Sequence, residues 1–140
     1  MPERPRFHLA FPVRDLGRAR AFYGELLGCR EGRSSDEWVD FDFFGHQIVA
    51  HLSGSEGRAE AYNRVDGEDV PVRHFGVILE MPDWRDLSAR LKAVEVDFLI
   101  APGVRFDGQP GEQATLFIRD PSGNALEFKA FADDAMVFAQ

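Results

Sequence analysis

The sequence has one cysteine, Cys29, no long apolar run and no excess of positive charge in its 140 residues. A single thiol cannot close an intrachain disulfide or build a thiol metal cluster, which favours a cytoplasmic protein. No apolar run approaches the about 18 residues of a membrane span, and residues 1–6 lack the apolar stretch of a signal peptide. The formal net charge of −8 excludes the basic footprint of a nucleic-acid binder and disfavours docking on an anionic membrane.

The sequence does contain a large apolar and aromatic fraction. Hydrophobic residues make up 44% of the chain and charged residues 29%, which argues against disorder. The 13 phenylalanines far outnumber the 2 tryptophans and 2 tyrosines. This size and composition predict a single domain, residues 1–140, with a sizeable core.

The first half of the chain predicts a strand, a helix and three more strands over about residues 7–52. The apolar run 7–13 is the first strand. Asp15 is the predicted N-cap of the helix and Gly28 its predicted end, because aspartate binds free amide groups and glycine adopts the left-handed conformation of helix ends. Three further strands are predicted, within residues 29–36, 37–44 and 47–52.

The second half repeats this order of elements over about residues 73–131. Residues 53–72, between the halves, are predicted to form a linker loop, a lid or a mobile excursion, and residues 101–113 a Gly/Pro-rich loop. Each module alone leaves one sheet face bare, so the two must pair. The predicted fold is α+β, with two βαβββ modules forming a curved mixed sheet of half-barrels around a cleft and the helices outside.

Histidines and one late carboxylate occupy corresponding places in the two modules. His8 lies on the first strand of the first module, and His74 opens the first strand of the second. His51 lies on the closing strand of the first module, in an apolar–polar–apolar triplet that we match to the triplet around Glu127. Strand alternation then predicts that His51 and Glu127 both project into the cleft.

These residue types predict one divalent metal ion, held by His8, His51, His74 and Glu127. Imidazole nitrogens and carboxylate oxygens bind Fe, Mn, Zn, Ni or Co ions. Two histidines and one glutamate leave coordination positions open, as a catalytic metal requires. His51 is either a fourth ligand or a catalytic acid/base, and the alternative for each histidine is a core or supporting residue. His46, beside a turn, is predicted to be exposed.

Three segments resemble the vicinal oxygen chelate superfamily of glyoxalases, bleomycin- and fosfomycin-resistance proteins and extradiol dioxygenases. They are FHLAFPVRDLGRARAFYGELLGC at 7–29, HFGVILE at 74–80 and FIRDPSGNALEF at 117–128. The resemblance implies metal ligands on the first and last strands of each module. His8, His74 and Glu127 match these positions well, and His51 matches the remaining one less securely. The resemblance also implies a homodimer, in which ligands can come from both subunits.

The activity that this resemblance implies depends on the closing strand of the first module. Glyoxalases of the family have a carboxylate on each closing strand, whereas this chain offers His51 in one of those places. The departure favours a metal-dependent, dioxygenase-like or lyase enzyme whose small substrate chelates the metal through adjacent oxygens. Two alternatives stay open: a metal-free small-molecule or drug-binding protein of the bleomycin-resistance type, and metal-assisted addition of thiol or water to an epoxide antibiotic.

Three other features receive mainly structural interpretations. Arg105 could contact a substrate carboxylate, but a solvated surface arginine is the favoured interpretation. Cys29 is predicted to be a small buried apolar group. Residues 120–123 are predicted to be a turn without a further role.

Overall fold

The computed structural model describes residues 4–54 and 61–139. The chain divides into two compact units, Met1–Gly57 with Asp120–Gly123 and Arg58–Arg119 with Asn124–Gln140. The turn at 120–123 therefore belongs to the first unit, although it lies within the second module in sequence. Among the helices of the described ranges, none is both long and apolar enough to cross a membrane.

The first unit contains a mixed four-stranded sheet. Its elements are β1 (His8–Val13), a helix α1 (Leu16–Ala19 with Arg20–Leu26), β2 (Arg30–Ser34), β3 (Trp38–Phe43) and β4 (His46–Leu52). The sheet order is β1-β4-β3-β2; β1 pairs with β4 in parallel, and the other neighbours are antiparallel. This arrangement confirms the predicted βαβββ order of the first module.

Helix α1 begins as an α-helix over Leu16–Ala19 and continues as a π-helix over Arg20–Leu26. The Asp15 side chain accepts a hydrogen bond from the Arg18 amide at 2.9 Å, which confirms the predicted N-cap. Gly28 follows the helix at φ +77°, the left-handed conformation predicted for this position.

The second unit contains the second βαβββ module, preceded by a hairpin. Its elements are β5 (Ala61–Val65), β6 (Glu68–Val72), β7 (Phe75–Ile78), α2 (Met81–Ala93), β8 (Phe98–Arg105), β9 (Gln113–Arg119), β10 (Ala125–Phe131) and a 3-10 turn (Asp134–Met136). Strands β5 and β6 form a two-stranded sheet. The four-stranded sheet has the order β7-β10-β9-β8, with β7 parallel to β10. The α+β class with two βαβββ modules is thereby confirmed.

Strands extend into two stretches in which the sequence indicates loops. Within the segment 53–72, residues 61–72 form the β5–β6 hairpin, while residues 55–60 lie outside the described residues. In the predicted loop 101–113, β8 continues to Arg105. Glycine and proline in these stretches lower strand propensity, but pairing with a neighbouring strand overrides it.

The turn at 120–123 does more than reverse the chain. Asp120 is buried and accepts a hydrogen bond of 2.7 Å from the Tyr23 hydroxyl of α1. Burial, followed by the charge of Asp120, raises the pKa of Tyr23 well above its usual value, so the hydroxyl remains a donor. The Ser122 hydroxyl accepts a hydrogen bond from the Arg14 amide at 2.9 Å. These contacts explain why this turn belongs to the first unit.

Candidate functional site

Polar side chains from neighbouring strands of the second unit lie on one face of its sheet. Glu127 and Lys129 are two residues apart on β10 and therefore project to the same side. Thr115 of β9 is the cross-strand partner of Lys129, and Gly76 of β7 is the partner of Glu127. His74 immediately precedes β7. A cavity of about 250 Å³ is lined by β7 together with His74, Glu127 and Lys129.

The His74 ring is oriented by contacts on two sides. Its Nδ1 lies 2.6 Å from the Pro71 carbonyl oxygen, an acceptor that requires Nδ1 to carry a hydrogen. The ring packs edge-to-face against Phe117, with centroids 4.9 Å apart. Nε2 therefore points at Glu127, with 3.2 Å between Nε2 and Oε1. A backbone carbonyl on the second ring nitrogen is the arrangement that commonly orients a metal-binding histidine.

Glu127 is a buried carboxylate whose two oxygens have different partners. Oε2 accepts a hydrogen bond from the Thr115 hydroxyl at 2.5 Å and another from Nη1 of Arg105 at 3.2 Å. Oε1 faces His74. Glu127 is only 7% exposed, so these donors replace the water that an ionised carboxylate would otherwise require.

The two pKa shifts at this contact favour a charged pair in the metal-free protein. Burial acts to raise the pKa of Glu127, but hydrogen bonds from His74 and Thr115 and the charges of Lys129 and Arg105 outweigh it, and the pKa is lowered. The hydrogen bond to Glu127 raises the pKa of His74; burial opposes this shift, and the Pro71 carbonyl adds to it. A proton on Nε2 then bridges the two side chains.

We expect this pair to stabilise the metal-free protein most between about pH 4.5 and 6.5. Because the folded-state pKa of His74 is raised, its contribution is complete below the usual value of 6.5 and is lost as the pH rises through the folded value. Because the pKa of Glu127 is lowered, its contribution is present above 4.5 and is lost as the pH falls.

The measurement is the difference in free energy of unfolding between the wild type and His74→Gln, taken at about pH 5.5 and about pH 8.5. The difference should be larger at the acidic pH. His46→Gln, which removes an imidazole from the first unit, is the control. A difference that grows toward alkaline pH would contradict the assigned charge states.

Arg105 is buried, which contradicts its interpretation as a solvated surface residue. It is 4% exposed and lies between two carboxylates, Glu127 at 3.2 Å and Glu68 of β6 at 3.3 Å. Its guanidinium lies 5.5 Å from the centroid of the Phe117 ring. The β5–β6 hairpin thus supplies Glu68 as a second carboxylate partner for Arg105.

The sequence analysis placed Arg105 in a loop and favoured a surface position for it, because strand alternation is interrupted in β8. The pairing of β8 with β9 changes register between Phe98 and Ile100 and again between Ile100 and Gly103. Each irregularity shifts which residues face a given side, so counting alternate residues from the start of the strand fails before Arg105 is reached. Glu68 was missed because it lies in a hairpin predicted as a loop.

In the first unit, the histidines lie apart along the strands. His8 is exposed, and its Nδ1 lies 2.8 Å from the Gln47 side-chain oxygen. His51 is exposed, and its cross-strand partner is Pro12. Pro12 lies four residues beyond His8 on β1, so His8 and His51 are separated by about 13 Å along the strands at about 3.3 Å per residue. His46 is half-buried rather than exposed, and its Nδ1 accepts a hydrogen bond from the Phe7 amide.

The strand registers correct the predicted equivalence of His51 and Glu127. We match the two modules at His8 and His74, so that the next residues, Leu9 and Phe75, also correspond. Leu9 pairs with Ile48 across the first sheet, and Phe75 pairs with Leu126 across the second. Ile48 therefore corresponds to Leu126. The counterpart of Glu127 is therefore the following residue of β4, Val49. His51 corresponds to Lys129, and the match between the triplets was wrong by two residues.

Of the four predicted ligands, His74 and Glu127 are the two whose donor atoms the described residues place in contact. Within residues 4–54 and 61–139, no three His, Cys, Asp or Glu side chains converge as they would around a metal ion. The assignment of His8, His51, His74 and Glu127 to one metal, and of His51 to catalysis, stays a prediction.

Cys29 is buried, as predicted for a small apolar side chain. Burial, followed by the charge of Asp42, raises the pKa of the Cys29 thiol to about 11. The thiol is therefore protonated near neutral pH and has little nucleophilic character.

Comparison with known proteins gives a match to one family over most of the chain. Residues 7–128 match the model of the glyoxalase/bleomycin resistance protein/dioxygenase superfamily. A crystal structure of a glyoxalase/bleomycin resistance protein/dioxygenase from Alicyclobacillus acidocaldarius is 36% identical, with a TM-score of 0.82 and 96% of both chains covered. The protein therefore belongs to this superfamily.

More distant structures share the fold. A fosfomycin resistance protein from Listeria monocytogenes is 20% identical, with a TM-score of 0.68 over 91% of this chain and 93% of that one. A lactoylglutathione lyase from Agrobacterium tumefaciens is also 20% identical, with a TM-score of 0.64 over 92% and 94%. At this identity the likeness concerns architecture, and the activity has to be argued from the site.

Proposed function

We propose that the protein is a metal-dependent enzyme whose small substrate chelates the metal through two adjacent oxygens. The observation that carries this proposal is the contact between His74 Nε2 and Glu127 Oε1. The other nitrogen of His74 and the other oxygen of Glu127 already have hydrogen-bond partners. Nε2 and Oε1 are therefore the two atoms left to share a proton or a cation.

The spacing of these two atoms fits a divalent cation. Two ligands bound about 2.1 Å from one ion at right angles lie about 3 Å apart, and Nε2 and Oε1 are 3.2 Å apart. Imidazole nitrogen with carboxylate oxygen is a donor set typical of Zn, Fe, Mn, Ni and Co. When bound, such an ion supplies Lewis acidity toward a chelating substrate.

The residues around the pair keep both donors in place. The Pro71 carbonyl directs the lone pair of the neutral His74 ring away from the backbone. Thr115 and Arg105 hold Oε2, so Glu127 would bind a cation through Oε1 alone. Phe117 packs against the His74 ring and limits its rotation.

The closing strand of the first unit favours dioxygenase-like over glyoxalase-like chemistry. On β4 of the first unit, the residue that corresponds to Glu127 is Val49. Val49 is 6% exposed, and its side chain has no atom that can bind a metal. The proposed set therefore comprises two histidines, with His8 as the second, and one carboxylate. Such a set is typical of non-haem Fe(II) oxygenases.

We also propose that the protein acts as a homodimer and that His51 serves as acid/base.

The test is to measure metal atoms per chain in protein purified without a tag and dialysed without chelator. We expect the wild type to bind one divalent ion, and His8→Ala, His74→Ala and Glu127→Ala to reduce affinity for it by at least about 100-fold. The matched control is His46→Ala, which removes an imidazole bonded to a backbone amide and should retain the metal.

His51→Ala separates the two roles predicted for that residue. Retention of the metal with loss of turnover supports an acid/base role, and loss of the metal supports a role as a ligand.

Wild-type metal content in both His74→Ala and Glu127→Ala would contradict the proposed function. A wild type that takes up no metal and still binds small molecules would support the binding-protein alternative.

A further inference from the structure

The cavity beside the His74–Glu127 pair is also lined by a lysine, Lys129. Lys129 lines the same 250 Å³ cavity as both members of the pair. It lies two residues beyond Glu127 on β10, on the same side of the strand. The charge of Lys129 acts on both Glu127 and His74, so the ammonium group is electrostatically part of this site.

Arg105 and Lys129, the arginine and lysine near Glu127, differ in their ion-pair partners. Arg105 is enclosed and donates to Glu127 and Glu68, so its charge is already balanced by carboxylates. Lys129 makes no ion pair of 4 Å or less with any side chain in the described parts of the chain. Its Nζ lies 5.5 Å from the centroid of the Phe131 ring, a neutral partner that positions the ammonium without neutralising it.

We propose that Lys129 binds an anionic oxygen group of the substrate, beside the oxygens that chelate the metal. This inference rests on the proposed function and deepens it, because it assigns the substrate to the class of small organic oxyanions, such as 2-oxo carboxylates. An ammonium ion needs oxygen partners when a ligand displaces its water. Glu127 cannot supply them, because it is held by His74, Thr115 and Arg105. Lys129 thus has the role that the sequence analysis gave to Arg105 only as the less favoured interpretation.

The test compares two probes of similar size that both carry adjacent oxygens, pyruvate and hydroxyacetone. Pyruvate has a carboxylate, and hydroxyacetone is neutral. We expect Lys129→Met, measured by calorimetry on the zinc-loaded protein, to weaken pyruvate binding by about tenfold or more. It should leave hydroxyacetone binding unchanged, and Lys129→Arg should recover most of the pyruvate affinity.

The matched control is Lys92→Met, which removes the only other lysine of the chain from the exposed side of α2 and changes the net charge equally. It should alter neither affinity. An unchanged pyruvate affinity in Lys129→Met, or an equal loss for both probes, would overturn the proposal.

The same titration on chelator-treated protein distinguishes this inference from the proposed function. If metal uptake fails but pyruvate binding still depends on Lys129, the anion subsite is supported and the metal-dependent function is not. If His74 and Glu127 hold the metal but Lys129→Met has no effect, only the subsite is overturned. A wild type that binds pyruvate in neither form also overturns it.

Discussion

Replacing Arg105 with methionine is expected to lower the free energy of unfolding by about 3–5 kcal/mol. The substitution keeps most of the apolar stem but leaves the Glu127 carboxylate, 7% exposed, without its buried cation. It also removes the contact between β8 and Glu68 of the hairpin. Breaking one side of a buried ion pair costs more than the pair contributes, because the remaining charge stays in a poorly solvated position.

Arg64→Met is the matched control, because Arg64 forms an exposed ion pair of 3.1 Å with Asp69 in the same unit. Its loss should cost no more than about 1 kcal/mol. Chemical denaturation of the metal-free variants at neutral pH measures both. Adding Glu127→Gln to Arg105→Met should recover part of the loss, since position 127 then carries no uncompensated buried charge. Equal costs for Arg105→Met and Arg64→Met would show that the buried pair has no special role.

Replacing Gly76 with alanine is expected to cost about 3 kcal/mol, the upper end of the usual range for overpacking. An added Cβ would lie 1.6 Å from the main-chain oxygen of Glu127, so β7 and β10 would have to separate. Neighbouring backbone cannot yield as a flexible side chain can. Because the same movement displaces His74 from Glu127, Gly76→Ala should also lose metal affinity.

Gly111→Ala is the control, because nothing lies within 4 Å of a Cβ added at Gly111. It should leave both unfolding and metal content close to those of the wild type. Denaturation curves and elemental analysis of the two variants check the prediction. A Gly76→Ala protein with wild-type stability would mean that β7 and β10 can separate without loss.

The candidate site was predicted only in part, and the reason lies in strand pairing. The sequence analysis assigned His74 and Glu127 to one site, and their side chains are in contact because the first and last strands of the second module are neighbours in its sheet. The match of His51 to Glu127 was wrong by two residues. Both positions satisfy an apolar–polar–apolar pattern, and alternation with a period of two cannot separate candidates an even number of residues apart.

The sequence by itself determined the βαβββ order within each module, the repeat of two modules and the ends of α1 at Asp15 and Gly28. These features depend on neighbours a few residues away, through side-chain alternation, capping and turn chemistry. The tertiary structure alone decided that β8 continues to Arg105 and that a hairpin brings Glu68 to it. Those contacts join residues 37 apart, and their register follows from backbone irregularities and long-range strand pairing that no local pattern encodes.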